Sequence, residues 1–171
     1  MAFDTYMIID DAAVVKGEAT AADLTPATGW FEIFSFSWGA SNPTTVGSGS
    51  SGLSAGRVSI SSFNVMKKSE SASAFLFASC CSGQHYKKAK VVMRKASGTD
   101  AKQATFLEYD FEDLMVESIQ WSGSSGGDDT PTESVSFAFA KVAITYYTQD
   151  TASGKMTKSG NATWDLTKVS K

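Results

Sequence analysis

Residues 30–38, with the sequence WFEIFSFSW, decide the fold class of this chain. Side chains alternate along the stretch with a period of two, which is the period of a β-strand. One face carries three aromatic residues, Phe34, Phe36 and Trp38, and the other begins with Phe31 and Ile33. Because apolar side chains fall on both faces, the pattern predicts a strand that is covered on two sides, by its own core and by something else.

The same period of two continues over most of the chain. Further strands are predicted over residues 5–9, 57–66, 85–96, 104–112, 114–122 and 134–149. Residues 155–158 and 161–167 are predicted to close the chain as a hairpin around Ser159-Gly160-Asn161. About nine strands at short spacing are typical of a mainly β protein, either a sandwich or a barrel.

One segment, residues 69–83 with the sequence SESASAFLFASCCSG, departs from the period of two. A stripe at helical spacing runs through it: Ala72, Phe75, Leu76, Ser79 and Cys80. Ser69 or Ser71 is expected to cap the N-terminus, and Gly83 is expected to end the helix in the left-handed conformation. The sequence therefore predicts a single packing helix against an otherwise all-β body.

The composition favours a binding or structural protein over an enzyme. The 171 residues fit a single domain spanning residues 1–171. Charged residues make up 19% of the chain and the formal net charge is −3, so no bulk positive field is present to attract nucleic acid. No apolar run reaches the length of a membrane span, and residues 1–4 begin no signal peptide. We therefore expect synthesis in the cytoplasm, without membrane insertion.

Residues suited to catalysis or metal binding are scarce. His85 is the single histidine, and the chain contains neither a GxSxG motif nor a glycine-rich phosphate-binding motif. Cys80 and Cys81 are adjacent, a spacing at which a disulfide would be strained, so we expect both thiols to stay reduced. We therefore predict no catalytic residue, no cofactor and no metal site.

Two stretches of opposite charge follow one another along the chain. The basic stretch contains Lys87, Lys88, Lys90 and Arg94, and the acidic stretch contains Glu108, Asp110 and Glu112. If the two strands are neighbours, these charges pair within one chain. Otherwise they offer complementary surfaces for head-to-tail association of copies.

Two glycine-rich segments are predicted to be loops. Residues 122–132 are expected to form a flexible connector. Residues 39–56 carry no charged side chain, and a loop of this length in a compact domain is usually functional. Its candidate contact residues are Gly39, Ser41, Asn42, Pro43, Thr44, Thr45, Val46, Gly47, Gly49, Gly52 and Leu53.

Taken in order, these segments resemble the hemolysin-coregulated protein (Hcp) family of the bacterial type VI secretion system. The resemblance is carried by residues 16–18 (KGE), 33–41 (IFSFSWGAS), the glycine-rich loop, 56–60 (GRVSI), 67–68 (KK), the helix that ends at Gly83, 94–98 (RKASG), 133–137 (ESVSF) and 146–147 (YY). It covers nearly the whole chain, while residues 21–29 and 122–132 depart from the family pattern.

The resemblance implies two packed antiparallel sheets that form a β-barrel, with one helix on the side. It also implies a non-enzymatic subunit, of which six copies form a ring around a channel. The rings stack into a tube that a contractile sheath drives outward behind a VgrG-like spike protein, and some members bind effectors inside the channel. Export by this machine needs no signal peptide, and the loop over residues 39–56 would reach the neighbouring ring.

One alternative from a different class stays open at this point. A monomeric β-sandwich that binds a carbohydrate or a protein would have a similar composition, with aromatic side chains such as Trp121 and Trp164 as the contact residues.

Overall fold

The computed structural model describes residues 3–9, 15–21, 23–26, 28–46, 53–96, 103–126, 129–150 and 153–168. The strands in these ranges are β1 (Asp4–Ile9), β2 (Phe31–Glu32), β3 (Ser35–Ser37), β4 (Ala40–Ser41), β5 (Thr44–Val46), β6 (Leu53–Ala55), β7 (Ser59–Ile60), β8 (Phe63–Lys68), β9 (His85–Ala96), β10 (Gln103–Ser122), β11 (Thr132–Gln149) and β12 (Met156–Asp165). Helix α1 (Ser71–Ser82) lies between β8 and β9. The prediction of a mainly β chain with a flanking helix is confirmed.

One antiparallel sheet runs in the order β2-β1-β9-β10-β11-β8-β3, and β12 adds to it beside β11. Strands β2 and β3 are the two edge strands of this sheet. They are consecutive in the chain, so one short segment joins the two edges of the sheet. The Ile33 amide donates to the Thr5 carbonyl at 3.0 Å, and the next amide, that of Phe34, donates to the Met66 carbonyl at 2.8 Å. The sheet therefore curls back on itself as a barrel.

The predicted strand over residues 30–38 is consequently split where the chain passes from one edge to the other. Phe31 and Ile33 are buried, and Phe36 and Trp38 pack against the same core, while Phe34 is 52% exposed. The alternation is therefore reset at Phe34, so that the apolar side chains before and after this residue both point into the core. The expectation of one strand covered from two sides was wrong.

On three neighbouring strands, the alternation of inward-facing and outward-facing side chains is interrupted at positions that pair with one another. Each of β9, β10 and β11 has two core residues separated by two residues outside the core: Tyr86 and Ala89, Phe111 and Leu114, Phe139 and Val142. These residues are partners in the ladder, Phe111 with Ala89 and Val142, Leu114 with Tyr86 and Phe139. We call this line the crease. It consists of Lys87, Lys88, Glu112, Asp113, Ala140 and Lys141.

Asp113, in the crease, has a φ of 51°, a left-handed conformation that a non-glycine residue adopts at a cost. Strands were predicted to end and begin here, at residues 104–112 and 114–122, but β10 runs through without a turn. The closing hairpin near Gly160 was also wrong, because β12 is one strand that pairs with β11 throughout. In both places the interrupted pattern marks a local irregularity in a continuous ladder.

Helix α1 buries Ala72, Ser73, Leu76 and Ser79 against the barrel. The Gly83 expectation is confirmed, because this residue follows the helix with φ 65° and ψ 34°. The N-cap is Glu70, so the expectation of Ser69 or Ser71 was wrong.

Residues 15–21, 23–26 and 28–30 form a segment that we call the strap. Val15 joins the main core, and the residues after it pack against the outside of the barrel. Leu24 and Trp30 of the strap form a second apolar cluster with Ile8 and Val92, on the opposite side of the sheet from the main core. Gly17 allows the strap to fold against itself, since a Cβ at this position would lie 2.1 Å from the Trp30 carbonyl oxygen.

Candidate functional site

Part of the glycine-rich segment 39–56 forms a two-stranded ribbon of β5 and β6, while β4 in the same segment pairs with β7 in a separate small sheet. Thr44 pairs with Ala55, and β5 and β6 pair with each other in a small sheet of their own. The prediction of a strand-free loop is wrong for these residues, because their backbone groups pair across the ribbon. Gly47, Gly49 and Gly52 lie outside the described residues.

The base of the ribbon is held to the chain at two points. The Gly39 amide donates to the Ser61 hydroxyl, and the Ser61 amide donates to the Gly39 carbonyl, both at 2.9 Å. Further along, the Gly56 amide donates to the Pro43 carbonyl at 2.7 Å, and a Cβ at Gly56 would lie 2.7 Å from the same oxygen. These contacts fix both ends of the ribbon where they leave the rest of the chain. Ser41 and Asn42 beside them are exposed.

Most of the predicted charged residues pair within the chain. Lys90 lies 3.3 Å from Asp110 and 3.7 Å from Glu108, on the neighbouring strand. Glu112 accepts from Lys141 at 3.0 Å. This is the intramolecular arrangement expected if the basic and acidic strands are neighbours.

The Tyr147 hydroxyl also donates to Glu108, at 3.1 Å. Burial, followed by the nearby Glu108 carboxylate, raises the pKa of Tyr147, so this phenol stays protonated and keeps the bond at neutral pH.

The remaining predicted basic residues lie in two different environments. Arg94 is buried, and Lys87 and Lys88 are exposed. Arg94 is 4% exposed, lies 3.7 Å from Asp23 and donates to the Gln103 carbonyl, so it fastens the strap to the barrel. Lys87 and Lys88 are exposed in the crease, and within the described ranges neither forms an ion pair. They are therefore the part of the predicted charged surface that is available to another molecule.

The outer surface of α1 is apolar and uncharged. Phe75 is 40% exposed and Phe77 is 50% exposed, and the Phe77 ring lies 5.7 Å from the ring of Trp121, which is 46% exposed. No residue of the helix carries a charge. Exposed aromatic groups on an uncharged helix surface are typical of protein contact surfaces.

A second surface, rich in small polar side chains, lies on the outer face of β3, β8 and β11, where Met66 and Lys68 are also exposed. Ser35, Ser37 and Ser134 are exposed, and the Ser136 hydroxyl donates to the half-buried Asn64 side chain. Their neighbours along each strand point into the core, so these side chains point away from it. We call this surface the serine face.

A buried ionic cluster was missed by the sequence reasoning. Lys67 and Glu133 are buried, with 2.6 Å between the Lys67 Nζ and Glu133 Oε1, and the Ser73 hydroxyl donates to the same oxygen at 2.9 Å. The signal was present, because Lys67 follows Phe63 and Val65 at inward positions of an alternating strand. Nothing local identifies Glu133 as the partner.

The structure brings no catalytic constellation together from the residues it describes. No group of three or more His, Cys, Asp or Glu side chains is positioned to hold a metal ion among them. His85 is exposed at the start of β9, and Cys80 and Cys81 are unlinked. In this part of the chain no helix is long and apolar enough to cross a membrane.

The fold defines a small β-barrel protein with a flanking helix. A family model described as "Type VI secretion system effector, Hcp" matches residues 6–146. The chain belongs to this type VI secretion Hcp family.

Individual relatives agree with the family assignment. Protein Hcp1 of Pseudomonas aeruginosa is 34% identical over 93 residues, which cover 54% of this chain and 56% of that protein. The match thus spans little more than half of this curated relative. A solved structure described as a type six secretion system protein is 34% identical, with a TM-score of 0.84 and 98% of each chain covered. Hcp1 from Salmonella typhimurium is 28% identical, with a TM-score of 0.72, 98% of this chain and 97% of that chain covered.

Proposed function

We propose that this single-domain chain is a structural, non-enzymatic tube subunit of a bacterial type VI secretion system. Six copies form a ring around a channel, and the rings stack into a tube. A contractile sheath drives the tube outward behind a VgrG-like spike protein, so the chain is made in the cytoplasm and exported by this machine. Effectors travel in the channel. Family membership supports the proposal, and no cofactor, nucleic acid or membrane insertion is part of it.

The observation that carries the proposal is the uncharged ribbon formed by β5 and β6. An isolated two-stranded ribbon is marginally stable in water, and this one pairs with no third strand among the described residues. Contact with a second copy would supply the missing cover. Main-chain groups and small side chains such as Ser41 and Thr44 suit close packing against another protein. The ribbon is therefore proposed as the contact between stacked rings.

The other surfaces fit the same assembly. Lys87 and Lys88 provide the charged part of a head-to-tail contact, in which unlike surfaces of successive copies meet. The serine face suits a channel wall, because small polar side chains give weak selectivity and tolerate varied cargo. The uncharged surface of α1 is available for the sheath or for a neighbouring subunit.

Mass measurement tests the ring first. Light scattering or native mass spectrometry of the purified chain should give about six times the chain mass of 18.2 kDa. Negative-stain images should show a ring with a central hole. A strict monomer at high concentration would contradict the proposal. A monomer whose Trp121 or Trp164 becomes protected by a glycan would instead support the carbohydrate-binding alternative.

Shortening the ribbon then tests stacking separately. Replacing residues 44–54 by a short Gly-Ser turn should abolish tube formation and secretion while the ring mass and the circular dichroism spectrum stay unchanged. The unchanged ring serves as the internal control for folding. If tubes form as before, the ribbon is not the stacking contact.

A further inference from the structure

The buried ionic cluster contains one cation and two carboxylates. Lys67 lies directly opposite Glu133 in the β8–β11 ladder, and both side chains are fully buried. The Lys67 Nζ also lies 3.4 Å from Glu70 Oε1, and the Glu70 side chain is 14% exposed. Since one ammonium serves both acids, the site carries a net charge of about −1 when all three groups are ionised, in surroundings that disfavour net charge.

Glu70 joins parts of the chain that are far apart in sequence. Its Oε2 accepts the Glu18 amide at 2.9 Å, and Glu18 in turn accepts the Ser71 amide at 3.1 Å. The Ser71 hydroxyl donates to the Lys16 carbonyl at 2.7 Å. Glu70 thus lies between the strap, the first turn of α1 and the Lys67–Glu133 pair.

The second oxygen of Glu70 is held less closely than the first. Oε1 is buried and lies 3.4 Å from the Lys67 Nζ, and the Glu70 side chain also faces the Ser73 amide in a capping box at the start of α1. The charged groups around it are Lys67 on β8, Glu133 on β11 and Glu18 on the strap, and α1 contributes none. Burial raises the pKa of Glu70, although the Glu18 amide and Lys67 act in the opposite direction.

We propose that Glu70, together with Lys67 and Glu133, forms a proton-responsive clasp that holds the strap and the N-terminus of α1 more firmly when Glu70 is protonated. A proton on Glu70 neutralises the extra buried charge and leaves a balanced Lys67–Glu133 pair. At higher pH the ionised Glu70 favours the open clasp, in which water reaches the carboxylate.

The direction of the pH dependence follows from linkage. A carboxyl group whose pKa is higher in the closed state than in the open state binds more protons when closed. Its contribution to closure is complete below the pKa of an exposed glutamate and is lost as the pH rises through the raised pKa of Glu70. The clasp is therefore closed most firmly in mild acid. Its closure should be measured from neutral to mildly acidic pH.

Amide hydrogen exchange of the whole protein tests the clasp locally. After correction for intrinsic exchange rates, protection of residues 15–18 and 70–74 should rise several-fold from about pH 8 to about pH 5. In Glu70→Gln, which removes the charge and keeps an acceptor oxygen, protection should already be high at the upper pH and should stay constant. The matched control Glu32→Gln, at an exposed carboxylate on β2, should behave as the wild type.

Two outcomes would overturn the clasp. One is a lower protection of Glu70→Gln than of wild type at the upper pH, because the ionised group would then be stabilising. The other is an equal pH dependence of the two proteins. If Glu70→Gln does not fold, Glu18→Gln decides, since removal of this neighbouring negative charge should move the transition to lower pH. An unmoved transition in that variant would also contradict the proposal.

Discussion

Replacement of Lys67 by Met removes the ammonium that faces two carboxylates inside the barrel. The methionine fills a similar volume, so the change tests charge with little change in packing. Glu133 stays fully buried and loses its 2.6 Å partner, while Glu70 loses the same cation at 3.4 Å. Removal of one member of a buried ion pair costs about 3–5 kcal/mol.

The surroundings place the expected cost near the lower end of this range. Glu133 keeps two hydroxyl donors, Ser73 at 2.9 Å and Ser69 at 3.2 Å, which stabilise part of its charge. A loss of about 3 kcal/mol corresponds to a fall in Tm of about 6–12 °C for a chain of this length. Guanidinium unfolding at one fixed protein concentration, followed by tryptophan fluorescence, measures it without a contribution from changing association.

Two further variants make the result specific. Lys68→Met changes the exposed neighbouring lysine and should alter stability by less than about 0.5 kcal/mol. The double variant Lys67→Met/Glu133→Leu should recover part of the loss, because an apolar pair tolerates burial better than a lone charge, while Glu70 still lacks the Lys67 ammonium. Equal effects of Lys67→Met and Lys68→Met, or a double variant worse than Lys67→Met alone, would refute the reasoning.

Two remaining predictions concern the strap and the crease. Gly17→Ala should destabilise the protein by about 1–3 kcal/mol in the same unfolding assay, because its Cβ would lie 2.1 Å from the Trp30 carbonyl oxygen, whereas Gly39→Ala meets nothing within 4 Å and should be neutral. The double variant Lys87→Glu/Lys88→Glu should keep the monomer fold and weaken ring association at least about tenfold at low salt, with recovery as salt screens the repulsion. Sedimentation velocity measures this association, and an unchanged ring at low salt would remove these lysines from the interface.

Periodicity predicted the elements whose pattern depends on neighbours in the chain. Strand β9 and the end of α1 at Gly83 lie where the sequence placed them, because side-chain alternation and a left-handed glycine are local properties. The N-cap was missed for a physical reason. Glu70 forms a capping box with Ser73 and also accepts the amide of Glu18, which comes from a distant segment, while serine is the better cap on local grounds alone.

The candidate contact surfaces were also predictable from the sequence only in part. The absence of charge over residues 39–56 is readable from the sequence, but its pairing as a ribbon depends on the registry of Thr44 with Ala55. The charged stretches were visible as well. Only the strand pairing shows that Lys90 forms ion pairs with acidic residues of the neighbouring strand. Lys87 and Lys88 form no ion pair within the described part of the chain.

The sequence by itself determined the β-rich class, the single packing helix and the low-charge surface, because these depend on side-chain period and composition. The tertiary structure decided how the sheet closes at Phe34, where three strands skip together at the crease, and which acid neutralises Lys67. Each of these depends on strand pairing between residues far apart in the chain. A one-dimensional pattern records that a residue faces inward, and the pairing alone determines what it meets there.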